Sequence, residues 1–223
     1  MNTRLRTAAL VCTAVALAAF VRVAAADDAS KSKTTTTTTT TSTTMTPEAK
    51  QQAMMAEMMK LGTPGPVHAA LKSQVGTWNA TVTSWDMGPQ PVTSTGTETR
   101  QMILGDRYLE THFTGTFMGQ PYEGWGITGF DNKTKQLTNV WADNMSTAWM
   151  TLQGTVSPDN KMMTCTGSVP GQDGKPMAIH TETKMDSDTQ NTYTMFGKMN
   201  GKDAKLMEIV YTRNATSATA QAK

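Results

Sequence analysis

The sequence predicts an all-β protein, a single antiparallel up-and-down barrel of about ten strands preceded by one or two short helices. Three observations predict it. From Gly76 onward, short alternating runs rich in Thr, Val, Tyr and Trp recur at intervals of roughly ten residues. Between them stand Gly-, Asn-, Asp- and Pro-containing segments just long enough for tight reversals, which makes sequence neighbours antiparallel. Trp78 lies on the first run and Arg213 on the last, a pair able to stopper one end of a barrel by cation–π stacking. A meander of this many strands removes its exposed edges by curling shut.

The chain before the barrel divides by composition. Met1 to Ala26 carry Arg4 and Arg6 ahead of an apolar run from Thr7 to Phe20, then Ala24-Ala25-Ala26. This order describes a secretory signal peptide over 1–26, too short to span a membrane and stay. The expected protein is exported, periplasmic or secreted, begins near Asp27 and keeps no integral membrane segment. Its thiol is then Cys165 alone, since Cys12 lies inside the signal, and no internal disulfide can form. Removing three Arg from 20 bases against 18 acids leaves 17 against 18, a net charge of about −1. Such a balance provides no electrostatic footprint for nucleic acid or an anionic membrane.

Residues 27–45 hold a threonine tract, Thr34 to Thr44 interrupted only by Ser42, with nothing apolar to bury; a disordered linker is expected, a glycosylated stalk being the sharper alternative. Residues 46–75 form a Met-rich helical lid. Thr46-Pro47-Glu48 supplies an N-cap, a first-turn proline and a first-turn acid, and Met54, Met55, Met58 and Met59 share one helical face. That face is expected to dock on the barrel or cover its mouth; a copper(I) site is the competing reading, lacking a His or Cys to complete it. Leu61 to Pro66 break the helix, and Val67 to Gln74 form a second short one.

The strands are expected at Thr77 to Trp85, Thr93 to Leu104, Tyr108 to Phe117, Tyr122 to Phe130, Gln136 to Asp143, Thr147 to Thr155, Lys161 to Ser168, Met177 to Met185, Gln190 to Lys198 and Lys205 to Arg213. They make a barrel domain over 76–213, followed by a disordered tail at 214–223.

Several spaced motifs carry a resemblance. They include Gly62-Thr63-Pro64-Gly65-Pro66-x-His68, Val75-Gly76-Thr77-Trp78, Gly126-Ile127-Thr128-Gly129-Phe130-Asp131-Asn132, Asp143-Asn144-Met145-Ser146-Thr147 and Glu208-Ile209-x-Tyr211-Thr212-Arg213. Over about Thr46 to Arg213 the chain resembles the bacterial domain-of-unknown-function family fifteen seventy-nine, which implies a calycin-like barrel and no assigned activity. It departs from the usual pattern with Phe130 in place of Tyr and Asp106 in place of Gly. More distantly, the Gly-x-Trp start and the terminal Arg resemble lipocalins, whose barrels hold apolar small molecules.

Barrels of this size can enclose one small ligand, and the candidate lining residues are Phe113, Trp125, Ile127, Trp141, Met150, Leu152 and Tyr211, with Ile179, Met195 and Ile209 beside them. An ordinary filled core would use the same residues. Trp78 and Arg213 are read as barrel closure. His68 is expected to hydrogen-bond a backbone carbonyl and fix the lid helix. Glu110-x-His112 and His180-x-Glu182 each place a carboxylate and an imidazole on one strand face; inward they could act as general base or metal ligands, but a solvated outer face is expected. Glu123, Asp143 and Asn144 are the polar residues of the family-typical runs, with Asp143-Asn144 expected to cap a turn.

The leading function is a non-enzymatic binder of a small apolar or amphipathic molecule, with no cofactor and no metal assigned. The alternatives are an enzyme of hydrolase or isomerase type using acidic or His residues in the barrel mouth, and an envelope copper or haem protein.

Overall fold

The computed structural model describes residues 45–171, 174–199 and 201–214, which fall in one unit, Met45–Lys223. The signal segment 1–26, the linker up to Thr44 and the tail from 215 lie outside the described residues. Two helices, α1 (Pro47–Gly62) and α2 (Pro66–Lys72), precede ten strands. These are β1 (Gly76–Ser84), β2 (Val92–Ile103), β3 (Tyr108–Phe117), β4 (Gln120–Asp131), β5 (Gln136–Asp143), β6 (Met150–Val156), β7 (Met162–Pro170), β8 (Pro176–Ser187), β9 (Gln190–Met199) and β10 (Lys202–Arg213).

Each strand pairs antiparallel with its sequence neighbours, and β1 pairs with β10 to close the barrel. The closing register sets Trp78 against Arg213 and Ala80 against Tyr211. The polar β2 is fixed between β1 and β3, with Glu98 opposite both Trp78 and Phe113. Closure satisfies every edge, as the expected meander requires.

α2 stoppers one end. His68 and Leu71 are buried on its inner side, and its C-terminal turn runs through Gln74 into β1. The Gly65 N–H donates to Nδ1 of His68 (3.0 Å), and the imidazole makes a backbone hydrogen bond at Phe130, whose ring stands edge-on to it at 6.0 Å. Arg213 stacks over Trp78 at 4.1 Å and donates to the carbonyls of Ser73, Val75 and Asp188, which joins the last strand to the α2–β1 link and to the β8–β9 turn. The closure expected of Trp78 and Arg213 is therefore built as a cation–π pair with a hydrogen-bonded fork.

α1 forms as its capping signals require: Thr46 accepts the Ala49 N–H and Pro47 opens the first turn. Its methionine face is not docked. Met54, Met55, Met58 and Met59 are between 53% and 72% exposed, and no residue of α1 is buried. The expectation of a methionine lid over the barrel is corrected here. What ties α1 down is its C-terminal end, where the Asn132 amide donates to the Leu61 and Thr63 carbonyls (2.8 Å each), so only its last turn is anchored. Asp106, in the β2–β3 turn, adopts φ 62° and pairs with Lys72 at 2.6 Å. Asp is among the few side chains that tolerate this left-handed backbone.

Candidate functional site

Inside the barrel lies a cavity of about 370 Å³. Leu71 and Gln74 of the α2 stopper stand at one end; at the other, Ser146, Ala148 and Trp149 of the β5–β6 loop form a rim, with Trp149 64% exposed. Strand alternation selects the wall. β3 presents Leu109, Thr111 and Phe113, β5 presents Leu137, Asn139, Trp141 and Asp143, and β9 with β10 present Tyr193, Met195, Met207, Ile209 and Tyr211. Of the expected lining residues, Phe113, Trp141, Met150, Leu152, Met195, Ile209 and Tyr211 line the cavity. Ile179 is buried in the adjoining apolar cluster.

Trp125 and Ile127 face outward, and the expectation that they line the interior is corrected. Register pairs them with the outward His112 and Glu110, and the Trp125 indole donates to Glu110 (3.0 Å) and meets Trp149 edge-on at 5.9 Å. Between Tyr122 and Thr128, which line the cavity, the inward positions of β4 are Gly124 and Gly126. A Cβ at Gly124 would stand 2.1 Å from the Trp141 ring and one at Gly126 2.9 Å from it, so the glycines make the hollow in which that indole lies. Apolar alternation cannot register a glycine, which is why this strand reads inside out from its sequence.

The cavity has a polar end that sequence reasoning missed. Glu98 and Arg100, 4% and 6% exposed, form an ion pair at 2.6 Å. Tyr211 donates to the second Glu98 oxygen (3.0 Å), and Arg100 donates to the side-chain oxygens of Gln74 (3.2 Å) and Asn191 (3.4 Å). The guanidinium also lies 4.4 Å from the Tyr211 ring centroid and 4.9 Å from that of Trp78. Burial raises the Tyr211 phenol well above its ordinary range, and the Glu98 carboxylate adds to this, so the group stays a donor. The only sequence signal was the spacing of Glu98-x-Arg100, which reads equally as an exposed cross-strand pair.

At the rim, Asp143 accepts from Tyr122 Oη and Trp141 Nε1 (3.1 Å each) through one oxygen and from the Met145 N–H (3.0 Å) through the other. Asn144 bonds Glu123 N–H and the Pro121 carbonyl. Asp143 thus caps the turn as expected, whereas Asn144 ties the strand end to β4. Burial, with the neighbouring Asp143, raises the Tyr122 phenol.

Candidate chemical groups do not converge. Glu123 points outward and Asp143 inward, so they form no carboxylate pair. His112 lies 3.6 Å from Glu110 on the outer face, and His180 stacks exposed on Phe196 at 4.6 Å. None of the three histidines lines the cavity. Among the described residues, no three His, Cys, Asp or Glu side chains are grouped to hold a metal ion, and no helix is long and apolar enough to cross a membrane.

Comparison with known proteins adds the lineage. No curated protein matches the chain. Among solved structures, Rv2717c from M. tuberculosis is similar at 14% identity and a TM-score of 0.53, over 68% of this chain and 99% of that one. A redesigned beta barrel matches at 20% identity with a TM-score of 0.37, over 65% and 95% of the two chains. EF1p2_mFAP2b bound to DFHBI matches at 17% identity with a TM-score of 0.38, over 66% and 99%. The first likeness bears on the fold alone. A family model, protein of unknown function (DUF1579), matches residues 63–213, the whole barrel and the α2 stopper, and the chain belongs to that family.

Proposed function

We propose that the protein binds a small apolar or amphipathic molecule inside its barrel and does not transform it. The cavity of about 370 Å³ carries this reading. Its size falls in the ordinary range for small-molecule pockets, and most of its wall is apolar, as theirs is. A barrel evolved only for stability would fill such a space, because each void forfeits packing contacts. The outward placement of the His–Glu pairs and the split of Glu123 from Asp143 favour binding over catalysis. Export belongs to the proposal and rests on the pattern of residues 1–26.

Native mass spectrometry of the protein purified from its own host tests both parts. A discrete added mass, released unchanged in organic solvent and absent from a Met195→Trp variant that fills the cavity, is the expected result. A bare mass together with no uptake of a solvatochromic naphthalene probe overturns the binding reading. A chain recovered with Met1 still attached overturns export.

A further inference from the structure

The polar end of the cavity holds two donors that meet no acceptor. A guanidinium only donates, so the Gln74 and Asn191 amides must turn their oxygens toward Arg100 and their NH2 groups away from it. Neither NH2 group has a hydrogen-bond partner, although Gln74 is 5% exposed and Asn191 0%. An unpaired buried donor is destabilising and calls for an acceptor. The oxygens of the cluster are turned elsewhere: Arg100 and Tyr211 take one Glu98 oxygen each, and both amide oxygens face Arg100, so none of them meets either NH2 group.

We infer that the occupant of the barrel is an apolar molecule bearing an uncharged carbonyl, as in a ketone, aldehyde, ester or amide, and that it enters carbonyl first to accept from the Gln74 amide at the cavity floor. The inference rests on the binding reading above. Gln74 is the orphan donor whose residue lines the cavity, next to Leu71 of the stopper. Charge selects the uncharged form. Glu98 and Arg100 already neutralise each other at 2.6 Å, so a carboxylate would bring an uncompensated charge to the buried floor of the cavity. An ammonium would likewise bring a charge that the neutral pair does not compensate. The body of the molecule then lies along Phe113, Leu152 and Met195 toward the rim.

A matched pair of probes tests this on protein whose native mass is that of the bare chain. One is prodan, a dimethylaminonaphthalene with a propionyl ketone; the other is 2-dimethylaminonaphthalene, which lacks the ketone. Both are expected to bind. The carbonyl stretch of bound prodan should shift to lower frequency than in alkane, and Gln74→Met should abolish that shift, weaken prodan about tenfold and leave the parent naphthalene unchanged. The stretch in the wild-type protein needs no variant, so a Gln74→Met chain that fails to fold does not remove the test. Uptake of both probes with an alkane-like stretch, or a shift that survives Gln74→Met, overturns the inference and leaves the binding reading standing. Uptake of neither probe overturns the binding reading and the inference with it.

Discussion

Replacing Arg100 by Leu would strand the Glu98 carboxylate among Trp78, Phe113 and Tyr211, without the cation it pairs with. Breaking a buried pair from one side costs about 3–5 kcal/mol, whereas replacing both partners by apolar side chains of similar size is often neutral. Chemical denaturation should show that loss for Arg100→Leu and recover most of it in a Glu98→Leu, Arg100→Met double variant. His68 gives a pH dependence of definite sign. Desolvation lowers its pKa from the ordinary 6.5, Arg107 adds to this, and the backbone hydrogen bond at Phe130 opposes it. The folded state therefore favours the neutral ring, whose Nδ1 accepts from Gly65. Its contribution is complete above pH 6.5 and is lost as pH falls below it, because the unfolded chain takes up the proton first. Denaturation midpoints compared at about pH 7.5 and about pH 5.5 should fall more in the wild type than in His68→Gln. The sequence made Trp78 and Arg213 legible because both stand at strand ends whose pairing closes the barrel. It left Glu98 and Arg100 illegible because an inward ion pair has the same spacing as a solvated one.

Strand positions were legible almost to the residue, since turn chemistry marks them: β3 and β5 have the expected bounds. β6 starts at Met150 and not at Thr147, because the Asp143 and Ser146 side chains capture the Met145 and Ala148 N–H groups that would otherwise enter the ladder. Glycine governs the close contacts between strands. A Cβ on Gly154 would stand 1.9 Å from the Thr164 carbonyl oxygen of β7, backbone that cannot swing aside. Gly154→Ala should destabilise the barrel by at least about 1–3 kcal/mol, read from the denaturation midpoint. α1 should show the reverse. Changing Met54, Met55, Met58 and Met59 together to Gln, a residue of similar helix propensity, should leave barrel stability within about 0.5 kcal/mol, because those side chains touch no core. A larger loss would mean that the helix face is covered in solution.

Closure of the whole barrel followed from the meander, yet whether its interior was packed or hollow did not. Volume depends on which rings lie flat over which glycines, as Trp141 does over Gly124 and Gly126, and a one-dimensional pattern has no term for that. The hollow has a further consequence through Cys165, a thiol in the cavity wall that burial pushes up to about 11. Only the thiolate attacks a disulfide reagent, and here it is both scarce and walled in. In a Cys12→Ser chain, the rate of Cys165 labelling becomes a clock for the barrel's opening. An occupant should slow that clock by the fraction of time the cavity is filled, so labelling kinetics at one concentration would rank candidate molecules by occupancy, with no dye or radiolabel and before the natural occupant has been identified.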